Sequence, residues 1–448
     1  MKKFTIWLVL IFSSLKCYGN NNINITQGNA APIPVAVNHF VVVSKDSGTD
    51  RYNQRLSRKI VKVLQNDFRI SGIFKPISAA AFIEKKIGVN HAPLFAAWQQ
   101  INAVLLVNGE MTVLSSGKIR IKYKLYDTFL EREVLSETIE LYENLWRRSA
   151  HKIADNVYKY ITGYEGYFNT RIVYVSETGP YLKRTKRIAI MDQDGANHRY
   201  LTDGSSLVLT PRFSPDNKNI LYLSYKNHIP QVYIMNLDNK RTRLIGNYSG
   251  MSFAPHFSPD GKKAVMSIAK NGLTHIYEVN LKNRKTTKLT RGFSINTSPS
   301  YSPDGKYIIF NSNRDGTRQL YVMKNDGTDI RRISFATGAY AEPSWSSNGY
   351  IAFTKMSRDY GFTIGVTTPD LDSDNYSERL ISSGYLVESP SWANNGRVIA
   401  FTKGYRPRKN KSKQMLSRIY TIDFTGRNER IIPTPKDASD PDWSKPLD

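Results

Sequence analysis

From Arg171 onward the chain repeats itself, and nothing else in the sequence limits its fold so tightly. Pro211-Arg212-Phe213-Ser214-Pro215-Asp216 aligns with Pro255-His256-Phe257-Ser258-Pro259-Asp260 and Pro299-Ser300-Tyr301-Ser302-Pro303-Asp304. Pro343-Ser344-Trp345-Ser346, Pro390-Ser391-Trp392 and Pro441-Asp442-Trp443-Ser444 continue the series. The first three steps are 44 residues long, and the last two are 47 and 51. The position two after each Pro is aromatic in all six copies. A second marker, Tyr233, Tyr277 and Tyr321, keeps the same step. A period near 44 residues with several short strands per unit is the signature of propeller blades.

The fourth unit shows how a blade is expected to form. Ser300–Ser302 is the inner strand and Asp304-Gly305 a tight turn. Lys306–Ser312 and Gln319–Lys324 are strands, Asp326-Gly327 turns again, and Arg331–Phe335 is the outer strand. Such a sheet is flat on both faces, is not stable alone and must stack on its neighbours. Closure follows from counting strands. Arg171–Ser176, Arg187–Asp192 and His198–Thr202 supply three strands of a first blade with no inner-strand motif before them, while Pro441–Ser444 has no strands after it. The last strand therefore completes the first blade, closing six blades into a ring without an open edge.

Before the repeats, residues 33–165 mix periods in the manner of a small α/β domain. Ile33–Val43 reads as a strand, and Asp50–Phe68 as a helix with Leu56, Ile60, Val63 and Leu64 on one face. Pro93–Gln100 reads as a short helix with Pro at its start. Ala103–Leu114 and Lys118–Asp127 form a hairpin around Ser115-Ser116-Gly117, with Glu133–Leu141 as a third strand. Asn144–Ile161 is a second long helix. The fold class is α+β multidomain: a small N-terminal α/β domain, then a six-bladed β-propeller over 171–448 closed by the C-terminal strand.

The first nineteen residues read as a secretory signal. Lys2 and Lys3 precede the apolar run Phe4–Phe12, and Cys17-Tyr18-Gly19 places small residues for a cut between Gly19 and Asn20. A lipoprotein signal acylated at Cys17 competes, but Lys16 stands where such a site needs a small residue. No run of about 18 apolar residues occurs, so no membrane-spanning helix is expected. With one Cys in 448 residues a disulfide framework is excluded. A formal charge of +25 invites a nucleic-acid reading, yet the positive charges are scattered and stand beside no such motif. The one cluster, Arg406–Lys413 with five basic residues in eight, reads as a solvated loop or an anionic-partner surface.

Catalytic signals are missing. No G-x-S-x-G pentapeptide occurs, so the hydrolase half of a propeller peptidase is absent. A lactonase-like enzyme would need carboxylates and His converging on a channel metal. The acids instead fall in turns, as at Asp194, Asp260, Asp304, Asp315 and Asp326, and the seven His are dispersed without metal-ligand spacing. His256 and His275 are expected in ordinary polar roles. The basic helix residues Arg147, Arg148 and Lys152 read as a solvated face. No cofactor and no metal are expected.

The order of signal, small α/β domain and six blades with PxFSPDGK-type repeats resembles the TolB family, periplasmic components of the Tol-Pal system. The resemblance covers the whole mature chain. It extends to the helix Asn144–Asp155 (NLWRRSAHKIAD), and Ser252–Pro255 and Glu388–Pro390 are similar to alphaproteobacterial members. Blades five and six depart from it, with Ser346-Ser347-Asn348-Gly349 and Ala393-Asn394-Asn395-Gly396 in place of SPDG. The resemblance implies an adaptor rather than an enzyme, monomeric, binding the lipoprotein Pal and other outer-membrane lipoproteins through the propeller, and TolA through the mature N-terminus. Its implied role is outer-membrane integrity and invagination at division, without nucleic acid. The implied Pal site lies on the blade-joining loops: Ser205–Thr210, Gly250–Ala254, Phe293–Ser298, Gly338–Glu342, Gly384–Ser389 and Asp437–Asp440. Met251, Phe253, Ala254, Thr297, Ser298 and Glu342 are its candidate contacts, Met251 standing where some relatives carry His. The implied TolA ligand is the segment 20–32, centred on Ile23, Asn24, Ile25 and Thr26, whose apolar and polar residues alternate as in an added edge strand.

Overall fold

A computed structural model describes residues 31–43, 50–85, 87–180, 183–226, 228–246, 248, 250–368, 377–405 and 415–448. The signal sequence, Ile23, Asn24, Ile25 and Thr26, and the basic loop 406–413 lie outside the described residues.

The first domain is a mixed sheet sandwiched between helices. Its strands are β1 (Ile33–Val37), β2 (Val41–Val43), β3 (Phe74–Pro76), β4 (Leu105–Val113), β5 (Lys118–Asp127) and β6 (Arg132–Tyr142). Their order is β3-β1-β4-β5-β6, parallel up to β4 and antiparallel beyond, with β2 also on β4. Side-chain alternation divides each strand between two cores. Val35, Val37, Leu105 and Val107 face the long helices α1 (Asp50–Ser71) and α3 (Trp146–Thr162), while Ala36 and Leu106 face Trp98 on α2 (Phe95–Gln100). Helix α3 ends at Gly163, which adopts the left-handed C-cap conformation (φ 74°).

One expectation for this domain needs correction, and one strand was not expected. The strand expected over Ile33–Val43 is two strands. Val37 pairs with Val107 and Val41 with Glu110, so one extra residue is accommodated between them. That bulge turns Phe40 into the core, where its ring lies against Gly109, a position at which a Cβ would come 2.9 Å from the ring. The short strand β3 had no alternation to reveal it, since its three residues are identified only by parallel pairing with β1.

The propeller consists of six four-stranded antiparallel sheets. The inner strands of blades two to six are Val208–Phe213, Met251–Phe257, Asn296–Tyr301, Ala339–Trp345 and Leu386–Trp392. Blade one takes its inner strand from the far end of the chain: Asp437–Trp443 pairs with Arg171–Thr178, which pairs with Thr185–Asp192. Each inner strand touches the next, and Asp437–Trp443 touches those of blades six and two, so the ring closes. The inner strand of the fourth unit starts earlier than its motif suggested, at Asn296, and its outer strand is only Arg331–Arg332.

The six aromatic slots lie in equivalent places. Tyr301, Trp392 and Trp443 are buried, Phe213, Phe257 and Trp345 half-buried, and none is exposed. Trp443 is 6 % exposed and donates its indole N–H to Thr170 Oγ1 at 2.7 Å. It belongs to the same apolar cluster as α1 and α3, so the closing strand and the first domain share one core. The first domain docks on turns of blades six and one: Asn428 donates to the Ile70 carbonyl at 2.9 Å, and Arg147 on α3 reaches Asp194 at 2.6 Å.

Candidate partner-binding face

Every inner strand carries the same irregularity. Its pairing with the second strand slips register at the residue before the repeat Pro. These residues, Thr210, Ala254, Ser298, Glu342, Ser389 and Asp440, all have positive φ, between 46° and 57°. A non-glycine residue held there costs on the order of 1–3 kcal/mol. The following Pro has no N–H to lose from the ladder, which makes this a tolerable place for a bulge.

The bulge directs polar side chains to the axis, where counterparts from successive blades meet. The Ser389 amide donates to Glu342 Oε2 at 2.7 Å and the Ser389 hydroxyl to Asp440 Oδ1 at 3.1 Å. One layer along, Arg212 Nε donates to His256 Nε2 at 3.2 Å and Ser391 to Asp442 Oδ1 at 3.1 Å. Below them a cavity of about 360 Å³ opens between inner strands and Ser-Pro-Asp turns.

The axis is electrostatically lopsided. Blades five, six and one contribute Glu342, Glu388, Asp440 and Glu177. Burial pushes Glu342 up, and burial together with Glu342 and Asp440 pushes Glu388 up to about 8. Burial also raises Asp442, against the opposing pull of Arg212. His256 is driven well below its ordinary value by burial and the Arg212 guanidinium. The joining loops of blades three and four are apolar instead: Phe293 is 93 % exposed, Met251 49 % and Ile295 43 %. Tyr360 and Tyr385 add exposed rings on the same face.

The opposite face is self-contained. In the Ser-Pro-Asp turns Ser258 Oγ donates to Asp260 at 2.5 Å and Ser302 Oγ to Asp304 at 2.6 Å, and each carboxylate also accepts a backbone N–H two residues on. Those bonds hold Asp260 and Asp304 below the ordinary carboxylate value. Gly261, Gly305, Gly349 and Gly396 supply the positive φ that closes the turns, and in blade two Asn217 does so.

Of the candidate contacts, Ala254, Ser298 and Glu342 fall on the strained ring itself. Thr297 adjoins it, accepting from Asn311 at 2.7 Å. Phe253 is half-buried beside Ala254, and Met251 stands exposed at the start of its strand. Glu388, Ser389, Asp440, Phe293 and Ile295 belong to the same face but were not singled out as residues. Their shared register relative to the repeat Pro was a usable signal for Ser389 and Asp440. Among the acids expected in turns, Asp315 and Asp194 also take side-chain partners: Asp315 accepts from the Tyr321 hydroxyl and Asp194 from Arg147.

No helix among the described residues is long and apolar enough to cross a membrane. Residues 158–447 match the family model for the TolB beta propeller domain, and residues 21–134 that for the TolB amino-terminal domain. The chain is 56 % identical over 450 residues to the Tol-Pal system protein TolB of Rickettsia bellii (strain OSU 85-389), spanning 99 % of this chain and 100 % of that one. It is 54 % identical over 449 residues to the Tol-Pal system protein TolB of Rickettsia massiliae (strain Mtu5), spanning 99 % of each. The crystal structure of TolB from Acinetobacter baumannii superposes with a TM-score of 0.79 at 24 % identity, covering 92 % of this chain and 97 % of that one, which supports the fold. On these matches, the chain belongs to the TolB family of the Tol-Pal system.

Proposed function

We propose that this chain is a non-enzymatic periplasmic adaptor that holds Pal on the joining-loop face of its propeller and TolA through its mature N-terminus. In this reading residues 1–19 direct export and are removed before Asn20, 20–32 form the TolA ligand, and the two contacts together support outer-membrane integrity and inward movement of the outer membrane at division. The observation that carries it is the ring of six left-handed residues beside exposed Met251, Phe293 and Ile295. Strain and exposed apolar area coincide where a partner would be gripped, and neither is explained by the fold's own stability.

The test is capture of purified Pal and TolA by the mature protein. Ala254→Asp places charge in the contact without touching a blade core, Thr297→Arg places charge beside it at the loss of the Asn311 bond, and both should abolish Pal capture. Lys262→Glu, on the Ser-Pro-Asp turns, should leave it intact. Deleting Asn20–Gln27 should abolish TolA capture and spare Pal. Equal loss of Pal from both faces would sink the assignment, and TolA capture by the deleted protein would move that site to the α/β domain.

A further inference from the structure

The seam between the two domains contains a second polar cluster, remote from the joining loops. Asp67 of α1 is fully buried and accepts from two sides: its Oδ2 lies 2.6 Å from His151 Nδ1 on α3, and its Oδ1 accepts from Gln193 Nε2 at 3.1 Å. The first contact commits Nδ1 of His151. The other ring nitrogen, Nε2, is buried and has no hydrogen-bond partner. Beside the ring stand Asp192, the last residue of the third strand of blade one, and Asp194 in the turn after it. Ligand atoms of His151, Asp192 and Asp194 all lie within 4.8 Å of one another.

From this geometry we propose that His151 Nε2, Asp192 and Asp194 form a zinc-class divalent metal site bridging the first domain and blade one. One imidazole nitrogen with two carboxylates is a donor set that suits zinc, leaving a fourth position for water. Asp67 supplies what such sites regularly have, a carboxylate on the far nitrogen of the histidine ligand that fixes its tautomer and ring orientation. A cleft of about 350 Å³, lined by Trp146, Arg147, His151, Asp192 and Asn197, gives the ion a route in. Zinc bonds of about 2.0–2.2 Å require the three groups to draw together by roughly 1 Å.

Arg147 now holds the position by charge. Its Nη2 donates to Asp194 Oδ2 at 2.6 Å and its Nε to Asp192 Oδ2 at 3.3 Å, with Asn197 also on that oxygen at 2.6 Å. A guanidinium shared by two carboxylates stands in for a cation, so metal and Arg147 compete. The guanidinium already lies 5.7 Å from the Trp146 ring at the cleft wall, where it can remain when displaced. An ion here would clamp α3 to blade one and fix the domain angle.

The experiment uses untagged full-length mature protein, stripped with chelator and titrated with Zn²⁺ by calorimetry and with Co²⁺ by visible absorption. Wild type should take up one equivalent saturably, develop ligand-field bands with Co²⁺, and melt higher with metal bound. Asp194→Asn, which keeps the side chain's size and removes its charge, and His151→Gln should each weaken binding by at least ~10-fold. Asp67→Asn should weaken it about 10–100-fold through the imidazole. Arg147→Gln should tighten it. Circular dichroism and melting of the metal-free variants confirm folding, and Asp194→Asn decides the case if His151→Gln fails to fold. The proposal is overturned if wild type shows no saturable uptake, if Asp194→Asn binds as wild type does, or if Arg147→Gln binds more weakly.

Discussion

The two faces of the propeller are built from the same strands and behave oppositely. On the turn face each Ser-Pro-Asp unit satisfies itself: Ser302 binds Asp304, Asp304 binds the Lys306 amide, and the Tyr307 amide returns to Ser302. No large exposed apolar side chain falls in those turns among the described residues. On the loop face six residues sit in a costly backbone conformation, Glu388 is pushed up to about 8, and Phe293 and Met251 stand in solvent. A repeated fold can thus leave the Ser-Pro-Asp turns self-satisfied and load the opposite rim, because the bulge at the Pro position is confined to one end of the inner strand.

The largest effect tests the ring on which both faces depend. Trp443→Ala should cost about 3–5 kcal/mol and lower the denaturation midpoint, since it empties a buried slot shared with the first domain. An unchanged midpoint would mean that the closing strand is dispensable. Next comes the loop face: on the proposed function, Ala254→Asp should lower Pal affinity by about 30-fold or more, the range of a hot-spot loss of 2 kcal/mol or greater. Its melting temperature should stay close to wild type.

Third, pH separates the faces. Glu388 is raised from an ordinary 4.5 to about 8. The folded state therefore holds a proton that the unfolded chain releases, and stability falls as pH climbs from about 4.5 toward 8. Glu388→Gln should flatten that fall, melting higher than wild type at pH 8 and nearly with it at pH 5. A wild-type profile that rises over this window, unchanged by the substitution, would contradict the burial argument. Smallest is the turn face: Ser302→Ala should cost about 1 kcal/mol, the value of one cap-like hydrogen bond, with Pal binding unaltered.

Much of the architecture was legible because it is periodic. The Pro-x-aromatic step located six inner strands and required the last to complete the first blade. The helices α1 and α3 followed from 3.6-residue spacing. What escaped was whatever depends on two distant segments meeting. Glu342 and Ser389 are 47 residues apart and meet only once blades five and six stack. The six left-handed positions hold Thr, Ala, Ser, Glu, Ser and Asp, so no residue type announces the strain. Asp67 and His151 are separated by 84 residues and by a whole sheet in chain order. Sequence spacing therefore spoke against metal ligands, although a histidine and a turn can be brought together by docking.

The pairing of Asp437–Trp443 with Arg171–Thr178 has a bearing on biogenesis. Blade one is begun early and finished last: its second strand must wait for some 260 further residues before its neighbour exists. Until then the sheet edge at Val173 and Val175 is unmatched, and the slot beside Tyr167 is empty of Trp443. Long-range pairings of this kind are slow to form. They also make the ring a proofreader of its own length. A chain released short by a dozen residues retains five whole blades and yet exposes an unpaired edge open to pairing with other chains.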